Sequence, residues 1–206
     1  MTGAILVLSG PSGAGKSTII KESSSSIGSY YFSISTTTRE ARDGEVDGVD
    51  YYFVSKDSFE EDIKAGNFLE YATVHNNYYG TSLIPVQKAL EDGKLVIFDI
   101  DIQGHRLIRA KLGDITTSAF ITPPSIDELD YRLNIRRTDN KDIISQRINN
   151  AKKEIEAINE YDYVIINDDI QKASEEFTLI ANVSILKQSR AELNDFIIHW
   201  LKTTKN

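Results

Sequence analysis

Eight residues near the start of the chain carry its most specific chemistry. Gly10, Pro11, Ser12, Gly13, Ala14, Gly15, Lys16 and Ser17 follow directly on the apolar run Ala4 to Leu8. A G-x-x-x-x-G-K-S pattern between a buried strand and a helix start is a phosphate-binding loop. Its glycines let successive backbone N–H groups curl around anionic oxygens where side chains would obstruct them. Lys16 brings a mobile positive charge to the outer phosphates, and the Ser17 hydroxyl is the expected Mg²⁺ ligand. The helix opening near Lys16 adds its positive N-terminal dipole, and Thr18 completes the donor-binding set.

A second cluster lies past the next strand pattern. Arg39 and Arg42 stand three apart, followed by Gly44-Glu45 and Asp50-Tyr51. Paired guanidinium forks suit a second phosphate group, since each can hold two of its oxygens. The plain alternative is a solvated loop whose arginines pair with Glu40, Asp43 or Glu45. Asp99 closes the run Leu95 to Phe98, at the carboxyl edge of a core strand where ligands of open α/β sheets bind. Arg132, Arg136, Arg137 and Arg147 form a third basic group around a polar turn.

The elements that must position these groups are legible in the apolar pattern. Ile5–Leu8, Tyr31–Ser35, Leu95–Phe98, Ala119–Ile121 and Val164–Ile166 read as strands buried on both faces, the mark of a parallel sheet. Helices are expected from Ser82 to Asp92 and from Ile102 to Leu112, with Gly93 and Gly113 as C-caps. Ser125 with Glu128 is a capping box opening a helix to Arg136, and Ser189 with Glu192 repeats it. The longest helix is expected from Asp142 to Glu160, with Ile144, Ile148, Ala151, Ile155 and Ile158 on its buried face. The fold class is therefore α/β, a parallel sheet with helices on both faces. The interval from Thr36 to Gly80 breaks the rhythm with short aromatic strands (50–54 and 68–74) and a helix over 57–65, which predicts a small α+β insertion.

The bulk numbers bound the rest. The chain has 206 residues, 40% of them apolar and 26% charged, with a net charge of −8. That charge argues against a nucleic-acid partner. The absence of cysteine removes disulfides, thiolate metal sites and cysteine nucleophiles. No signal-peptide or membrane-span pattern is read, so a cytoplasmic protein without a membrane partner is expected. His75, His105 and His199 lack metal-ligand spacing and read as ordinary core or surface residues.

In order, the phosphate loop, the run from Ser35 through Arg39, Arg42, Gly44-Glu45, Gly48 and Asp50-Tyr51, then Tyr78 to Ser82, Asp99 to Gly104 and Ile166 to Asp169 resemble guanylate kinase. The resemblance spans the chain to about Phe177. It implies a P-loop core (1–35 and 82–206) with a helical lid at about 132–147 and a GMP-binding lobe at 36–81. It implies transfer of the γ-phosphoryl group of MgATP to GMP, and to dGMP as well, giving ADP and GDP. By the same resemblance Glu70 takes the two donors of guanine, with Ser35 and Thr81 as hydroxyl partners and Asp101 as support. Arg39, Arg42, Tyr51 and Tyr79 hold the GMP phosphate. Asp99 serves either Mg²⁺ through water or the guanine amino group, with helix capping as its structural alternative. Arg136 and Arg147 neutralise transition-state charge together with Lys16 and Arg42, Arg132 touches ATP phosphates, and Asn167 contacts adenine. Two other functions compete: a kinase for AMP or pyrimidine monophosphates, and a non-catalytic module of this family that binds peptides. Arg137 and Ala41 stand where the family more often has a small or polar residue and a proline.

Overall fold

The computed structural model describes residues 3–74, 76–135 and 141–202. Five parallel strands make the main sheet: β1 (Ala4–Ser9), β2 (Tyr30–Phe32), β7 (Leu95–Asp99), β8 (Thr116–Thr122) and β9 (Tyr163–Ile166), in the order β2-β7-β1-β8-β9. Every residue of β1 is buried, which is why its sequence is a continuous apolar run. Alternation along β1 feeds two cores. Ala4, Leu6 and Leu8 pack with Ile19 of α1 (Lys16–Ser23) and with Ala173, Phe177 and Ala181 of α7 (Ile170–Ser184). Ile5 and Val7 pack on the other face with Val86 and Ala89 of α3 (Leu83–Glu91) and Ile108 of α4 (Ile102–Leu112). Helices thus cover both faces, as an α/β P-loop core requires.

A second sheet lies between β2 and α3 in the chain. Strands β3 (Thr36–Thr37), β4 (Tyr52–Phe53), β5 (Phe68–Val74) and β6 (Asn77–Ser82) run in the order β4-β3-β6-β5. Against it lies α2 (Lys56–Lys64), whose Phe59 is fully buried and stacked between Phe68 and Tyr78. Ser55 caps α2 by accepting from the Ser58 amide, and Gly66, at φ 73°, turns the chain out of it.

The remaining helices are α5 (Ile126–Ile135), α6 (Lys141–Glu154) and α8 (Arg190–Lys202). The capping box of Ser189 and Glu192 forms reciprocally, whereas at Ser125 only the Glu128 amide donates to Oγ and the Glu128 carboxylate goes to Arg132 instead. Arg136, Arg137 and His75 lie outside the described residues.

Several expectations change. The run Tyr31–Ser35 splits, because the chain leaves the main sheet after Phe32 and enters the second one at Thr36. Strand β9 is not buried on both faces: it is an edge, and Val164 and Ile166 are about half exposed. The helix expected over 142–160 is α-helical only to Glu154 and tightens into a 3₁₀ turn from Ile155 to Glu160, so among the described residues α7 is the longest helix. Gly113 ends α4 but with φ −57°, leading into a 3₁₀ turn rather than a left-handed cap.

His105 of α4 is fully buried, stacked 4.1 Å from the ring of Tyr161, and among the described residues neither ring nitrogen is hydrogen-bonded. Burial and then the nearby Arg109 hold its pKa below the usual histidine range, while Glu160 and Asp162 oppose and Arg106 adds to the shift. The native state therefore favours the neutral form of His105 more strongly than the unfolded chain does. Its full stability holds above the unfolded pKa of about 6.5 and is lost as pH falls below that value, because the unfolded chain takes up the proton first. Denaturant midpoints measured from pH 8 to 5 are expected to fall on acidification, and His105→Leu removes that part of the slope. An unchanged slope in His105→Leu contradicts this assignment.

Candidate active site

The loop after β1 is shaped by three glycines in left-handed backbone, Gly10 (φ 139°), Gly13 (φ 98°) and Gly15 (φ 95°). At Gly10 a β-carbon would stand 1.9 Å from the Ile121 carbonyl oxygen, and at Gly15 2.3 Å from Asn167 Nδ2. Both glycines are therefore required by neighbours as well as by dihedral angle. Gly15 leads into α1 without a side-chain cap, which leaves the positive end of the helix to a ligand.

Lys16 folds back over the loop. Its Nζ donates to the carbonyls of Gly10 (2.6 Å) and Pro11 (3.4 Å) and lies 3.7 Å from Asp99 Oδ1. Asp99 reaches it because β7 runs in register beside β1, with Asp99 opposite Leu8. Burial pushes the Asp99 carboxyl above the usual carboxylate range, and Lys16 pulls against that shift. Ser17 is exposed in the first turn of α1.

Asn167, only 4% exposed, donates from Nδ2 to the Ala14 carbonyl at 2.7 Å. Its backbone N–H donates to Thr122 O, and its own carbonyl accepts from Arg132 at 2.9 Å. Arg132 is held in turn by Glu128, Nε to Oε1 at 2.6 Å. The end of β9, α5 and the phosphate loop are thereby tied together. Gly13, Gly15, Thr18, Arg132 and Asn167 line one cavity of about 500 Å³. That volume is within the range of small-molecule sites. A cleft of about 530 Å³ between α1 and α7 is lined by Glu22 and Glu175 and by no cation, so it does not suit a phosphate. From α6, Arg147 donates to Ser12 Oγ at 2.9 Å.

On the second sheet, Glu70 and Thr81 face each other across β5 and β6, just past a register shift. Thr81, 4% exposed, donates from Oγ1 to Glu70 Oε1 at 2.7 Å. The threonine proton is thus committed to the carboxylate. Arg39 is clamped by Glu45, which accepts from it through Oε1 (2.8 Å) and Oε2 (2.9 Å), and its guanidinium lies 5.5 Å from the Tyr51 ring centre. Glu45 also accepts the Arg42 backbone N–H at 2.7 Å, which with Arg39 holds its carboxyl below the usual range. The Arg42 side chain is exposed. The Tyr51 and Tyr79 rings meet edge to face at 6.1 Å. Ser35 lies between the sheets, and its carbonyl accepts from the Tyr52 amide.

The pairing of Arg39 with Glu45 realises the alternative weighed in the sequence. The capping weighed for Asp99 belongs to Asp101, whose Oδ1 accepts the Gly104 amide at 2.8 Å at the start of α4. One carboxylate beside the loop was not singled out: Glu154. Burial raises the pKa of Glu154, Lys16 opposes that shift and Asp101 adds to it. Its spacing of seven from Arg147 puts both on one face of α6 and is the signal that would have found it.

The comparisons with known proteins converge. Residues 2–182 match the family model described as guanylate kinase. The chain is 58% identical over 199 residues to the guanylate kinase of Sulfurimonas denitrificans, covering 97% of each chain. It is 48% identical to that of Wolinella succinogenes over 96% of this chain and 92% of the relative. The crystal structure of guanylate kinase from Anaplasma phagocytophilum superposes with a TM-score of 0.66 at 32% identity, covering 91% of this chain and 88% of that one.

Replacing Asn167 by alanine leaves the Ala14 carbonyl buried without its donor. A loss of about 1–3 kcal/mol in unfolding free energy is expected, with weaker ATP binding, by denaturant titration and calorimetry. Unchanged stability and ATP affinity would refute the tie.

Proposed function

The chain belongs to the guanylate kinase family, and from that premise we propose how its own residues move a phosphoryl group from ATP to GMP. The activity is that of an ATP:GMP phosphotransferase, a nucleoside monophosphate kinase. The observation that supports the acceptor assignment best is the Glu70 carboxylate, anchored through one oxygen by Thr81.

Guanine presents N1–H and its amino group as adjacent donors, and a fixed carboxylate accepts both. Adenine would turn a lone pair toward Glu70, an unpaired repulsive contact. Ser35 and Asp101 complete this end, with Asp101 placed by its cap at α4. Arg39, Arg42, Tyr51 and Tyr79 receive the GMP phosphate, the Arg39 fork being held in position by Glu45. The second sheet, residues 36–81, is on this reading the acceptor lobe of a core formed by 1–35 and 82–206.

The donor lies on the loop Gly10–Ser17 with Thr18 and Arg132, its base in the cavity beside Asn167. An oxygen of the GMP phosphate attacks the γ-phosphorus as the bond to the ADP oxygen breaks. The attacking group is already anionic, so no strong general base is needed, and catalysis rests on alignment and charge cancellation. Lys16, Arg42, Arg147 and, on the sequence pattern, Arg136 supply that charge. Arg147 already rests on the loop at Ser12, and residues 132–147 act as the lid. The residues present fit a nucleotide-borne Mg²⁺: the exposed Ser17 hydroxyl and Asp99 would hold it. Among the described residues no group of three or more His, Asp or Glu could bind a metal alone. When bound, Mg²⁺ neutralises the β- and γ-phosphate oxygens. Among the described residues no helix is long and apolar enough to cross a membrane. The donor and acceptor are cytoplasmic metabolites, and we place the protein there. The same pocket would accept dGMP, because the contacts named address base and phosphate.

A coupled ADP-release assay across nucleoside monophosphates tests the acceptor assignment. GMP is expected to exceed AMP in kcat/KM by about 10⁴-fold. Glu70→Gln is expected to lower kcat/KM for GMP by about 100-fold or more while leaving the KM for ATP unchanged. Equal use of AMP and GMP, or a Glu70→Gln variant with normal GMP kinetics, would defeat the assignment.

A further inference from the structure

Polar atoms are buried together at the root of the phosphate loop. Among the described residues five buried side-chain polar atoms lack a hydrogen bond, and four of them belong to Ser9, His105 and Tyr161. These residues are only 1%, 1% and 8% exposed. An unpartnered buried polar group destabilises a fold, so a cluster of them needs a reason to be there.

The strand pattern explains why the three meet. Successive residues of β1 alternate between faces, so Ser9 continues the row of Ile5 and Val7 on the side covered by α4. An apolar row thus ends in a hydroxyl. In register beside Ser9 stands Phe120 of β8. Tyr161, which follows the 3₁₀ turn, meets Phe120 at 5.2 Å between ring centres, close to perpendicular, and stacks on His105 of α4 at 4.1 Å. Two aromatic neighbours therefore fix the ring, and its hydroxyl faces that of Ser9. Burial pushes the Tyr161 hydroxyl up to about 12, and Ser9 pulls against that shift.

A phenylalanine would fill the same space without burying an oxygen, so packing does not account for the hydroxyl. Its place does. Ser9 is followed by Gly10, whose carbonyl accepts from Lys16 Nζ at 2.6 Å. The Ile121 carbonyl confines Gly10 from β8, and a hold on Ser9 confines the same peptide from the strand behind it. We propose that Tyr161 is a positioning residue for phosphoryl transfer, its hydroxyl pairing with that of Ser9 to set the Gly10 carbonyl on which Lys16 rests. This role depends on the donor-site function assigned to Lys16. Tyr161 touches neither nucleotide and acts through Ser9.

A double-mutant cycle tests this in the whole chain. Tyr161→Phe and Ser9→Ala each remove one hydroxyl and keep the surrounding packing, so both are expected to fold, as circular dichroism checks. Each is expected to weaken ATP binding by calorimetry, and to slow single-turnover transfer at saturating nucleotides, by about tenfold. The KM for GMP is expected to stay unchanged, a split that loss of mere core packing would not give. The double variant is expected to lose no more than the weaker of the two single variants, because the hydroxyls act as one pair. ATP affinity is read with no acceptor present, so this cycle fails separately from the assignment of GMP. Wild-type ATP affinity and transfer in a folded Tyr161→Phe enzyme, or losses that multiply to about a hundredfold in the double variant, would overturn the proposal.

Discussion

The site depends on a steric condition: a cradle of backbone N–H groups exists only where no side chain intrudes. Gly10 lies so close to the Ile121 carbonyl, and Gly15 so close to Asn167, that a single methyl group at either position would force the loop apart. The loop is thus gripped from β8 and from the end of β9, and it approaches its ligand with its shape already set. Pre-set dipoles are what make electrostatic catalysis effective, because they need not reorganise as charge moves.

Positive charge is held in readiness by neighbouring oxygens throughout the site. Lys16 rests on two loop carbonyls and near Asp99, Arg39 on Glu45, Arg132 on Glu128 and Arg147 on Ser12. Long cationic side chains have many rotamers, and fixing them before the ligand arrives reduces the entropy lost on binding. The acceptor end follows the same logic with the sign reversed: Thr81 orients Glu70, so the carboxylate that must face guanine is not left to solvent.

Much of this was legible in the chain. The five core strands, the N-caps at Ser125 and Ser189 and the bounds of β5 follow from apolar runs and cap chemistry, which act locally. The phosphate loop was legible because its pattern, its preceding strand and its following helix agree. What escaped was set by partners distant in sequence. Nothing near Asn167 indicates that its amide is spent on Ala14, 153 positions earlier. Asp99 and Asp101 both lie at the junction of a strand and a helix, and only the backbone path decides that Asp101 caps α4. Edge strand β9 is as apolar as a central strand, so its exposure could be known only from the strand order. The 3₁₀ turn after Glu154 interrupts a helical pattern whose spacing does not change. Arg136 rests on the family pattern, since it lies outside the described residues.

Lys16 is the group on which donor placement and charge cancellation meet, and single-turnover phosphoryl transfer by Lys16→Met, with ATP and GMP saturating, is the most direct test. The account predicts a folded protein with near-normal GMP affinity and a transfer rate lower by about 10³-fold or more, the scale of losing one electrostatic transition-state contact. A folded Lys16→Met enzyme transferring at close to the wild-type rate would contradict it.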